Sequence, residues 1–171
     1  MIKIVFGAIP CILSGILWRM GGSSSYPSWV RQIGVATVFT IVTLVSALTQ
    51  SFPFIVWWKV LLFAGITWGA TYGLLTISYG ITSPLGQLFS FIQNTVIRDI
   101  VIRGVCAIFW SLTYLIPVVY LWQWWRIVFC LIPIVAIPII RISGVDQINP
   151  WIEEFLIGAI FTAGYCLAWM V

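Results

Sequence analysis

The chain has 171 residues, of which 62% are hydrophobic and 7% charged, with a formal net charge of +4 and a mean hydropathy of +1.13. A soluble domain gives about a quarter of its residues to charge, so this composition cannot cover a water-facing surface and reads as an integral membrane protein. Eight basic residues scattered without a run do not make a nucleic-acid surface, and the absence of histidine removes the commonest general base and metal ligand.

Six apolar segments follow one another, at about residues 2–18, 33–48, 54–77, 100–121, 127–140 and 151–171. They are too long and too free of alternation for a membrane β-barrel, so the expected fold is an all-α polytopic membrane bundle of about six helices, a single transmembrane domain over residues 1–171. Lys3 ahead of an apolar run resembles the start of a signal peptide, but Trp18-Arg19-Met20 is a poor cleavage site, which predicts an uncleaved first span. The second and fifth segments are short for a bilayer, which takes roughly 17–25 residues, and extension through Gln32 and through Trp124-Trp125 is expected.

The connections are of two kinds. Residues 19–31, 78–99 and 141–150 are polar, whereas 51–59 and 120–126 are short and rich in Trp and Phe. Trp and Tyr favour the membrane–water boundary, so the aromatic turns are assigned to one interface and the polar turns to the other. Arg19, Arg31, Arg98, Arg103 and Arg141 then share the polar side, against Lys3, Lys59 and Arg126 opposite. By the positive-inside bias the polar turns face the cytoplasm of a bacterial-type membrane. A repeat is also suggested, because Trp57-Trp58-Lys59 precedes Pro84 at nearly the interval by which Trp124-Trp125-Arg126 precedes Pro150; this gives three helical hairpins.

Within this frame Asn149-Pro150 is a strong helix start, a capping side chain followed by a residue suited to the first helical position. Glu153 and Glu154 fall in the first turn that follows or just after it, where negative charge favours the helix dipole. Ser83-Pro84 is read as a similar start, opening an amphipathic helix that lies in the interface. Asp99 and Arg103 are spaced for an ion pair on one helix, and Arg98 is expected to turn away toward the carboxylates near the last helix. Lys3, Lys59 and Arg126 are read as interfacial charges reaching for water. Gly65, Gly69 and Gly73, together with Gly158 and Gly164, are expected at close helix contacts.

Asp146, Glu153 and Glu154 are three of only four acidic residues, and they lie close together between two apolar runs. Charge is costly near hydrocarbon, so its concentration hints at function. The candidate ligand-binding residues are Arg19, Arg98, Arg103, Arg141, Glu153 and Glu154, with Arg98 and Arg141 as main contacts for an anionic headgroup or small anion. Gly21-Gly22 and Ser23-Ser24-Ser25 lack the Gly-Lys-Ser/Thr of a phosphate loop and read as a connection. Cys11, Cys106, Cys130 and Cys166 lie inside apolar runs without a Cys-x-x-Cys pair and read as packing residues. No catalytic or metal motif is present, and neither metal nor cofactor is expected. The expected role is that of a non-enzymatic protein, transporter-like, permeability-related or partner-binding, in contact with the bilayer, with a membrane protein partner or as a homo-oligomer. The alternatives are an intramembrane enzyme acting on a phosphorylated lipid, with Glu153 or Glu154 as base, and a holin-like disrupting protein.

Overall fold

Length and apolarity alone dictate helices here, because a backbone polar group in hydrocarbon must be satisfied within its own segment. The computed structural model bears this out; it describes the backbone at residues 2–22, 26–51, 55–145 and 149–171, and the side chains of these except 2–6, 22 and 51. In order come α1 (Ile2–Gly22), α2 (Trp29–Ser51), α3 (Trp57–Leu88) and α4 (Thr95–Ser111), the last running through a 3-10 turn, Leu112–Tyr114, into α5 (Leu115–Leu121). A second 3-10 stretch, Trp124–Cys130, leads into α6 (Leu131–Ile142), and α7 (Pro150–Met170) closes the bundle. Five stretches, Trp29–Gln50, Trp57–Leu88, Thr95–Leu121, Trp124–Ile142 and Pro150–Met170, are long and apolar enough to cross a membrane. At 21 residues α1 is about 31 Å long by helix geometry, matching a hydrocarbon core of about 30 Å. The short second and fifth segments are extended at their ends as expected.

α7 is the central element. It packs against α1, α2, α5, α6 and the 3-10 stretch before α6, and its residues Ile157, Phe161, Tyr165 and Trp169, spaced by one helical turn, are all buried. Around them Phe39 stacks on Tyr165 with ring centroids 4.2 Å apart, Trp18 meets Trp110 edge-on at 4.8 Å, and the Tyr114 hydroxyl donates to the Phe161 carbonyl. Thr43 bridges the Tyr165 hydroxyl at 2.8 Å and the Thr67 hydroxyl at 3.2 Å. Such polar contacts tie helices together where lipid offers no competing partner.

The glycine pattern differs from expectation. A Cβ placed on Gly65, Gly69 or Gly73 would meet nothing within 4 Å, so that stripe makes no helix contact. The close approach is between α1 and α7. A Cβ on Gly158 would lie 2.6 Å from Trp18 Cβ and 2.7 Å from the Ser14 carbonyl, and one on Gly15 would lie 2.7 Å from the Phe155 ring. Gly164 is packed as expected, beneath the Tyr114 hydroxyl.

Pro84 does not start a helix. It lies inside α3, which runs on to Leu88, so the interfacial helix expected from residue 85 is instead the last turn of a 32-residue rod. That rod is about 48 Å long, well beyond the hydrocarbon thickness. The next start is Asn94, whose side chain accepts from the backbone N–H groups of Val96 and Ile97. Pro84 and Pro150 are therefore not equivalent, one near the end of a helix and one at its first position, and the repeat does not hold at these markers. Asn149 caps α7 as read, accepting from Trp151 N at 2.9 Å.

Candidate functional site

Alternation of direction along the bundle gathers one set of helix ends into a charged cluster. Arg31 comes from the first turn of α2, Asp99 and Arg103 from α4, Arg141 from the last turn of α6, Glu153 from the first turn of α7 and Glu154 from just after it. Adjacent residues on a helix diverge by about 100°, so the two glutamates reach different neighbours. Glu153, 4% exposed, lies 3.2 Å from Arg103 Nη1 and 3.7 Å from Arg141 Nη1. Glu154 lies 3.5 Å from Arg31 Nη1. Asp99 Oδ2 accepts from Arg103 Nε at 3.1 Å and from Arg141 Nε at 2.7 Å. The Arg31 guanidinium is held between rings, 5.2 Å from the Trp18 centroid and 4.9 Å from that of Tyr79.

Of the residues singled out by sequence, Arg103, Arg141, Glu153 and Glu154 are thus brought together, with Asp99 as the shared acceptor. Arg98 is not. It lines a groove with Ser83, Gln87, Ser90 and Thr95 and forms no ion pair among the described residues. Its expected pairing with the carboxylates of the last helix is overturned, because Arg103, one turn further along, and Arg141 hold Glu153 while Arg31 holds Glu154. Arg19 stays outside the cluster, its Nε buried without a hydrogen-bond partner among the described residues. Asp146 lies outside the described residues. Arg31 and Tyr79 were not foreseen as site residues, since nothing local marks them; the partner of Arg31 is 123 positions away.

The cluster encloses a cavity of about 220 Å³, lined by Arg31, Tyr79, Thr82, Asp99, Arg103 and Glu154 among others. At its inner wall Trp110 Nε1 donates to Ser78 Oγ at 2.6 Å. The groove beside Arg98, about 470 Å³, shares Asp99 and Ile102 with this cavity. Two donors on the cavity, Arg31 Nε and the Tyr79 hydroxyl, are buried without a hydrogen-bond partner. Such atoms are costly in a low-dielectric site. Arginine faces each carboxylate here, and the described residues include no group of three or more His, Cys, Asp or Glu able to hold a metal ion.

The other end of the bundle is built differently. Arg126, expected to reach for water, is 5% exposed. Its Nη1 donates to the Ala168 carbonyl at 2.7 Å and its Nε to Gln123 Oε1 at 2.5 Å, with the guanidinium 5.2 Å from the Trp125 ring. The reason is the end of α7, whose last carbonyls lack helical partners and carry partial negative charge; Gln50 Nε2 takes the next one, Trp169 O. Lys59 lies over Tyr120, 4.9 Å from the ring centroid.

Comparison of the chain with protein-family models, with curated proteins and with solved structures finds no match.

Proposed function

We propose that this is a non-enzymatic membrane protein that holds an anionic group, the phosphate of a lipid headgroup or a small free anion, at its charged end. The supporting observation is the set of cationic donors left over there. Arg103 and Arg141 are taken up by Asp99 and Glu153, whereas Arg98 lines an open groove with three hydroxyl side chains, and Arg31 and Tyr79, which line the adjoining cavity, each keep a buried donor, Arg31 Nε and the Tyr79 hydroxyl, without a partner among the described residues. Arg98 and Arg31 therefore replace Arg98 and Arg141 as the main contacts. An enzyme using Glu153 as base is less well supported, because that carboxylate is held between two arginines.

Charge-assisted bonds from guanidinium to phosphate are the strong class of hydrogen bond, and groups at the bilayer edge meet headgroups without leaving the membrane. The Lys/Arg count favours the cytoplasmic face for this end. Reconstituted protein is expected to retain a short-chain phospholipid, and Arg98→Gln to weaken that retention while the protein stays folded. Retention equal to that of the unaltered protein would refute the assignment.

A further inference from the structure

We infer that the ligand of this site is a zwitterion, a phosphate joined to a primary ammonium, as in the headgroup of an aminophospholipid. This rests on the anion-binding reading above and names its ligand class. The charged residues lining the inner cavity are Arg31, Arg103, Asp99 and Glu154, two cations against two anions. A wall so balanced does not select a pure anion. Whatever charge Arg31 attracts is opposed by Glu154, whose Oε2 is 3.5 Å from Arg31 Nη1.

The free hydrogen-bonding capacity is equally mixed. The spare donors are Arg31 Nε and the Tyr79 hydroxyl. Spare acceptors come from the carboxylates, because Asp99 serves both its arginines with Oδ2 and Glu154 serves Arg31 with Oε2, leaving Asp99 Oδ1 and Glu154 Oε1 without a described partner. A phosphate answers the donors and an ammonium N–H answers the acceptors. A glycerol headgroup would bring negative charge against Asp99 and Glu154 with no cation to offset it. A trimethylated ammonium carries the charge but has no N–H to give. The cavity, of about 220 Å³, has room for a headgroup but not for acyl chains. The cavity is open where Thr82 is exposed and the Asp99 side chain is 34% exposed.

The test is equilibrium binding to the full chain in detergent, read by tryptophan fluorescence (Trp18 lies against Arg31), with four probes: short-chain phosphatidylethanolamine, phosphatidylcholine, phosphatidylglycerol and inorganic phosphate. The ethanolamine lipid is expected to bind about tenfold more tightly than the other three, the scale of one charge-assisted contact. Glu154→Gln is expected to erase its advantage over the glycerol lipid. Unaltered protein that prefers phosphatidylglycerol or binds phosphate as tightly as the ethanolamine lipid overturns the zwitterion and leaves the anion reading standing. Binding of none of the four overturns both. A Glu154→Gln variant that melts with the unaltered protein and keeps its preference also overturns the inference, and the ranking of the four probes on unaltered protein decides the matter if that variant does not fold.

Discussion

The two ends of α7 each hold buried arginine, but in opposite ways. At the C-terminal end Arg126 is matched by neutral acceptors, the Ala168 carbonyl and Gln123, and closes off a helix terminus. At the N-terminal end Arg31, Arg103 and Arg141 meet Asp99, Glu153 and Glu154, charge for charge. Both arrangements suit the helix dipole, acid at its start and base at its finish. They differ in what remains. Arg126 serves a terminus with which it is already in register, while the charged end keeps donors and carboxylate oxygens to spare around a cavity. A single buried charge satisfied by the backbone thus reads as architecture, and a balanced set with capacity left over reads as a place for a ligand.

The strongest way to break this comparison is at Glu153. Replacing it with Gln leaves Arg103 and Arg141 short of one carboxylate, which is itself almost fully buried. Breaking a buried pair from one side costs about 3–5 kcal/mol, so Glu153→Gln is expected to lower the stability of the purified protein by that order, measured by denaturant or thermal unfolding in detergent. A change under half that size would show that the arginines find water and that the cluster is not buried in practice.

A smaller effect sharpens the role of α7 as the element both ends share. Gly158→Ala must push α1 away, because the added carbon would meet Trp18 and the Ser14 carbonyl; overpacking of this kind costs about 1–3 kcal/mol. Gly69→Ala, with open space around it, is expected to change stability by less than about 0.5 kcal/mol. Equal losses in the same unfolding assay would restore the glycine stripe of α3 as a packing surface.

These contrasts also explain what could be read from sequence. The spans were legible because apolar length is set by the bilayer, and the start of α7 because Asn149-Pro150 carries its own capping chemistry. Ser83-Pro84 misled because proline suits both the first turn of a helix and, where neighbours allow, its interior; Asn94, the cap actually used, was the better signal. The Gly65-Gly69-Gly73 stripe misled because small residues permit close approach without causing it. The pair that does meet, Gly15 and Gly158, sits on the first and last helices, and no local pattern joins them. For the site, chain direction alone placed the arginines and carboxylates at one end. Their pairing depended on which side of each helix faces the bundle, which is why Arg98 was assigned carboxylates that Arg31, Arg103 and Arg141 hold, and why Arg126 was mistaken for a surface charge.

The central claim is that one end binds and the other supports. It is tested most directly by comparing Arg98→Gln with Arg126→Gln in the same detergent preparation, measuring phosphatidylethanolamine binding and unfolding for each. Arg98→Gln is expected to lose binding and keep its unfolding midpoint, because Arg98 forms no ion pair among the described residues. Arg126→Gln is expected to keep binding in its folded fraction and to lose about 1.5–3 kcal/mol of stability, the worth of hydrogen bonds from a charged donor. The reverse pattern, binding lost with Arg126→Gln at full folding and unaffected by Arg98→Gln, would contradict the account.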